Sequence, residues 1–165
     1  MTDAIETIDA EISTEVEAVS GAYVSVEHDI ATMNEGAIAL YSSIDMTDFD
    51  GALEVAEALG NSTPLEQFYG QEFDLANVVV QKVSIPNVKT GEVNDAPRVT
   101  LIAADGRIFH ATSVGVFSSV RNLFGMIGEP SAWPNGFVTV KAVQERTRSG
   151  FNVTVLKVVR KSGKK

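Results

Sequence analysis

Residues 98–127 read RVTLIAADGRIFHATSVGVFSSVRNLFGMI, and this stretch decides the fold. Two β-rich runs, Arg98–Ala104 and Arg107–Ser113, flank Asp105-Gly106, a dipeptide suited to a type I′ hairpin turn because Asp and Gly tolerate positive φ. Val116, Phe117, Val120 and Phe124 then recur at helical spacing as far as Ile127, and Gly128-Glu129-Pro130 stops that helix. Upstream, residues 73–85 (FDLANVVVQKVSI) form the first strong strand, separated from the hairpin by a polar stretch, Pro86–Pro97, with Gly91, Asn94 and Asp95 as turn formers. Downstream, Phe137–Thr147 and Phe151–Arg160 are two more strands around Arg148-Ser149-Gly150. The expected class is therefore mainly β with a helix between strands 3 and 4, the element order of an OB-fold, a five-stranded Greek-key barrel. Closure removes the bare edges that five short antiparallel strands would leave. A β-sandwich or an SH3-like barrel is the rival, and neither accounts as well for a full helix at that point.

Further out the pattern weakens. Asp48 or Asp50 caps a short helix through Leu59, ended by Gly60, and Pro64–Tyr69 is another turn of helix. Residues 1–47 read as an acidic N-terminal extension. Within it Ile5, Ile8, Ile12, Val16 and Val19 space an amphipathic helix up to Gly21, and Ala22–Val26 and Ala37–Tyr41 are short strand candidates. The expected organisation is thus an extension over 1–47, an OB-like domain over 48–160 and a basic tail over 161–165.

Charge divides the chain as well, between residues 81 and 82. The chain of 165 residues carries a net −9, which at face value argues against a polyanionic partner. Residues 1–81, however, hold seventeen Asp and Glu and no Lys or Arg, whereas residues 82–165 hold all thirteen basic residues and five acids. A −17 half precedes a +8 half. Such asymmetry points to nucleic acid for the basic half and to an interaction role for the acidic one. No apolar run is long enough to span a bilayer and no basic leader opens the chain, so the expectation is a cytoplasmic protein without membrane contact. The absence of cysteine excludes disulfides, thiolate metal sites and thiol nucleophiles.

Pairing across Asp105-Gly106 sets two faces of the hairpin. Ala104/Arg107, Ile102/Phe109, Thr100/Ala111 and Arg98/Ser113 share one face; Ala103/Ile108, Leu101/His110 and Val99/Thr112 share the other, mostly apolar one. The first face presents Arg98 and Arg107 around Phe109, on the strands where OB-folds bind oligonucleotides by stacking bases on aromatics and pairing phosphates with cations. Lys82 and Lys89 lie in or beside the loop between strands 1 and 2. Arg146, Arg148 and Phe151 surround the loop between strands 4 and 5, and these two loops usually flank an OB groove. Trp133, the only tryptophan, either stacks on a base or plugs the barrel end.

Other motifs carry little. Met46-Thr47-Asp48-Phe49-Asp50-Gly51 approaches a calcium loop but has Met46 where the first carboxylate belongs, so helix capping is the better reading. His110 faces the expected core beside Leu101 as a satisfied imidazole, and His28 is the only other histidine. No triad, phosphate loop or dinucleotide fingerprint assembles, so neither an enzyme nor a cofactor is expected.

Residues 97–143 resemble single-stranded DNA-binding proteins encoded by phages of Gram-positive bacteria. The shared pattern is Pro97-Arg98 before a Leu-Ile strand, the Asp-Gly turn, a Ser-x-Gly-x-Phe helix start (Ser113, Gly115, Phe117), a Gly-x-Pro loop leading to Trp (Gly128, Pro130, Trp133) and a Val-x-Val-Lys strand (Val138, Val140, Lys141). The likeness extends more weakly over residues 50–159, and the long acidic segment departs from the family's pattern. The resemblance implies sequence-tolerant binding of displaced single strands during phage replication, and it adds Lys141 to the binding set. The acidic segment then masks the groove as a DNA mimic or recruits replication proteins. The alternative is a structural or assembly module, such as a small virion protein, whose charged halves pair between subunits of a homo-oligomer.

Overall fold

A computed structural model describes residues 40–161 of the chain. The expected helix up to Gly21, the strand candidate at Ala22–Val26 and the basic tail beyond Lys161 lie outside the described residues. Along the chain come β1 (Leu40–Ser42), α1 (Phe49–Gly60), β2 (Thr63–Pro64), a 3₁₀ turn (Leu65–Phe68), β3 (Glu72–Pro86), β4 (Val93–Ala103), β5 (Ile108–Thr112), α2 (Val114–Ile127), a second 3₁₀ turn (Pro130–Ala132), β6 (Val138–Arg146) and β7 (Asn152–Val158). Of the strand candidate Ala37–Tyr41, only Leu40 and Tyr41 are described; they belong to β1, inside the acidic segment, and Tyr41 and Ile44 are buried.

The seven strands of the described residues join one curled sheet in the order β2-β5-β4-β3-β6-β7, with β1 on a second edge of β3. The pairings are antiparallel except β2–β5, which is parallel. β3 is the spine. Glu72–Leu75 pairs with β6, Val79–Gln81 with β1, and β4 runs along the opposite edge as far as Pro86. Its register breaks between Leu75 and Asn77, a bulge that sharpens the twist and lets one strand serve both halves of the curl. The two short leading strands place α2 between β5 and β6 in the full count.

The pairing is compatible with an OB-like arrangement, but the closed five-stranded barrel is corrected to a half-barrel: β5 and β7 do not pair. Two elements occupy the seam instead. β2 lies on the outer edge of β5, and the start of α2 lies against β7. Ser119 Oγ accepts from Leu156 N at 3.1 Å, and Ser113 Oγ donates to Thr154 O at 3.4 Å, so helix hydroxyls satisfy part of the edge that a strand would have paired.

Two apolar layers hold the molecule. Inside the curl, Leu75, Val78, Val80, Val99, Leu101, Phe109, Val116, Val120 and Val140 are almost wholly buried, with Phe124 and Trp133 stacked edge to face at 6.0 Å. Outside it, α1 lays Val55 and Ala58 on Ile44, Val79 and Ile102. Asp48 caps α1 by accepting from Gly51 N at 2.7 Å, the role expected of the near-calcium motif. No helix of the described residues is long and apolar enough to cross a membrane.

Candidate nucleic-acid interface

The hairpin register differs by one residue from the expected one. Ala103 N donates to Arg107 O at 2.8 Å and Gly106 N to Ala103 O at 3.0 Å, leaving a three-residue loop, Ala104-Asp105-Gly106, with Gly106 at φ +90°. The Asp105 carboxylate accepts from Arg107 N at 3.0 Å and from Arg107 Nε at 2.8 Å, which supports this wider turn and holds the Asp105 carboxyl below its ordinary value. Opposed pairs become Arg98/Thr112, Val99/Ala111, Thr100/His110, Leu101/Phe109 and Ile102/Ile108. A slip of one exchanges the faces of one strand relative to its partner. Phe109, expected outside between two arginines, is 1% exposed in the core, 4.8 Å from the rings of both Phe68 and Phe73. His110, expected inside, is on the outer face.

That outer face is half roofed. α1 covers Ile102, with Ile108 beside it, and its own surface is acidic with Asp50, Glu54 and Glu57. Only the end carrying Arg98, His110 and Thr112 is left for a ligand.

The ten expected binding residues are dispersed. Lys82 pairs with Asp95 at 2.8 Å, and this contact together with Ser84 holds the Asp95 carboxyl below its ordinary value. Arg107 pairs with Asp105 and lies 5.6 Å from the Phe109 ring centre, at the opposite end of β5 from Arg98. Trp133 is 5% exposed and donates from Nε1 to Gly128 O at 2.9 Å, so its indole plugs the core and faces no groove. Lys141 stands on the outer face of β6 between Glu72 and Lys157 in register, and Lys89 sits on the exposed loop between β3 and β4. Among the described residues Lys89, Arg98, Lys141, Arg146 and Arg148 make no ion pair.

Three of the ten come together at the β6–β7 turn. Thr147 N donates to Phe151 O at 2.7 Å and Gly150 N to Thr147 O at 2.9 Å, and the tight turn presents Arg146, Arg148 and a Phe151 that is 73% exposed. From that turn β7 leads to Thr154, whose hydroxyl is 2.6 Å from the Tyr69 hydroxyl across the open seam. Tyr69 is 37% exposed and lines a shallow groove of about 300 Å³ with Glu66, His110, Thr112, Ser113 and Thr154. Arg98 stands opposite Thr112 at the other end of this line.

The seam strip thus carries Tyr69 and a row of hydroxyls, with Arg98 of β4 opposite Thr112 and with Arg146, Arg148 and Phe151 at the turn that precedes β7. Tyr69, His110 and Ser62 belong to it; His110 is expected in the core, and Tyr69 and Ser62 have no signal in the sequence, since the seam exists only where β2, β5 and β7 meet. The arrangement suits an extended anion with planar groups.

A family model for phage single-stranded DNA-binding proteins, of the phi29 type, matches residues 33–159. No curated protein and no solved structure matches the chain. The family match covers the whole curled sheet, both helices and the seam, and on it the chain belongs to the phage single-stranded DNA-binding proteins, with single-stranded DNA as its partner.

Proposed function

We propose that the strand lies along the seam between β5 and β7, and that the protein coats displaced single strands during phage DNA replication without reading their sequence. What supports this is the seam that Tyr69 spans to Thr154, with Arg98 opposite Thr112 on the β5 side and with Arg146, Arg148 and an exposed Phe151 at the turn before β7, none of the three arginines in an ion pair. Stacking on rings and pairing with phosphates ignores base identity, because every base has a π-face. The acidic segment over 1–47 repels DNA and serves to engage replication proteins with basic surfaces.

Affinity for a fluorescein-labelled oligo-dT should fall with salt. Each phosphate neutralised on a single strand contributes a slope of about −0.7, so three to five cations give about −2 to −3.5 in log K against log salt. Anisotropy titrations at four salt concentrations read it. Salt-insensitive binding, absent binding, or tighter binding to duplex of the same length sinks the proposal.

A further inference from the structure

We infer that Arg98, Ser62 and His110 form a phosphodiester subsite at the open end of the β4–β5 face, and that DNA entering it brings a proton onto His110. The inference rests on the seam being the DNA interface and names one of its contacts.

One hydrogen-bond chain links the three side chains. Arg98 Nη2 is 3.4 Å from Ser62 Oγ, and Ser62 Oγ is 2.8 Å from His110 Nδ1. Arginine only donates, so Ser62 accepts from Arg98, and its second lone pair and its own hydrogen let it meet Nδ1 in either protonation state of the ring. In the protonated ring both nitrogens carry hydrogen, so the imidazolium, which lines the groove, can donate to Ser62 and to an anion at once. Arg98 itself is under-used. It has no carboxylate partner among the described residues, its one hydrogen bond is the long one to Ser62, and its Nε is buried without a partner.

The charges around the ring are few. Arg98 faces it from β4 and Glu66 from the 3₁₀ turn, while Tyr69, Thr112, Ser113 and Thr154 bring only hydroxyls. Burial holds the His110 imidazole below its ordinary value; Arg98 acts in the same direction, and a hydrogen bond with the Ser62 backbone and the charge of Glu66 oppose them. A phosphodiester beside Arg98 supplies the missing negative charge, which both pairs the guanidinium and favours the imidazolium. Its bridging geometry needs one donor from each residue, and both are present. Because the bound state favours the protonated ring, affinity rises as pH falls through the range in which the bound imidazole titrates, and levels off once the free protein's ring is also charged.

The test is the affinity of the full chain for oligo-dT at pH 8 and pH 6, at constant ionic strength, beside ring-proton NMR titrations of the free and DNA-saturated protein. With His28 and His110 the only histidines, His28→Gln assigns the signals. Binding about three- to tenfold tighter at pH 6 is expected, flat in His110→Gln and retained in His28→Gln, with His110 titrating at higher pH when DNA is bound. An unchanged His110 titration, or pH dependence surviving in His110→Gln, overturns the inference while leaving the DNA interface standing. No oligonucleotide binding at either pH overturns the interface and the subsite together. Inorganic phosphate is the remaining arm: an equal shift of His110 with phosphate alone assigns the site to the free anion and overturns the DNA subsite.

Discussion

Replacing Phe109 with alanine is expected to remove about 3–5 kcal/mol of stability, the usual loss for a large aromatic truncated in a packed core. Replacing Phe151 with alanine should leave stability within about 0.5 kcal/mol and weaken oligonucleotide binding by about 1–3 kcal/mol, roughly 5- to 150-fold. The contrast follows from where one residue of register puts each ring. Phe109 fills the space between Phe68 and Phe73, with both centroids 4.8 Å away, so truncation leaves a void that three strands and a 3₁₀ turn cannot close. Phe151 touches little, being 73% exposed on a turn held by the backbone and the Thr147 hydroxyl. Urea unfolding followed by the fluorescence of Trp133, which sits in the same core, reads the first effect; anisotropy with labelled oligo-dT reads the second. A fully stable Phe109→Ala protein, or a Phe151→Ala protein binding as tightly as the parent, would return the stacking role to Phe109.

The reason this reversal was illegible in the sequence lies in the hairpin itself. Alternation identifies a face only where one side of a strand is wet. In β4 the inward Val99, Leu101 and Ala103 are legible, but in β5 the run Ile108, Phe109, His110, Ala111 puts an apolar residue on either face, Ile108 lying outward beside Ile102 and beneath α1 while Phe109 is buried inward. Asp-Gly then accommodates either a two-residue loop or a three-residue loop with glycine at positive φ, and the fit of Phe109 against Phe68 and Phe73, remote in sequence, decides between them. Local signals fared better. The α2 boundaries follow from Ser113 capping Val116 N and from Gly128 at φ +79° ending the last turn, both chemistry within a few residues. The sequence could also show Arg107 beside Asp105, but not that Lys82 meets Asp95 across a strand pair, which left two cations in the expected site that the fold pairs with carboxylates. Tyr69 carries no signal for the same kind of reason: the seam it spans needs β2 beside β5, a two-residue parallel pairing too short to leave a pattern.

Helix α2 offers the sharpest remaining test, because the same substitution at two of its glycines should act with opposite sign. A Cβ at Gly115 would stand 2.3 Å from Thr154 O and 2.4 Å from Val153 Cγ2. The nearest atom is a backbone carbonyl of β7 and cannot rotate aside, so Gly115→Ala must lift the start of α2 off the strand. That movement strains or breaks the bonds from Ser113 and Ser119 to Thr154 and Leu156, the ones that satisfy the unpaired edge. Overpacking together with an edge group left unpartnered costs about 2–4 kcal/mol. A Cβ at Gly125, ten residues along the same helix, meets nothing within 4 Å and its φ is not positive, so Gly125→Ala should gain about 0.5–1 kcal/mol from helix propensity and from the stiffer unfolded chain. Urea midpoints measured in parallel decide it. Because Thr154 also carries the hydroxyl that meets Tyr69, the Gly115→Ala protein should bind oligo-dT more weakly even under conditions where it is fully folded, whereas Gly125→Ala should bind unchanged. Equal stability effects of the two substitutions would mean that α2 does not rest on β7, and with that the open seam would lose the element that keeps it from closing.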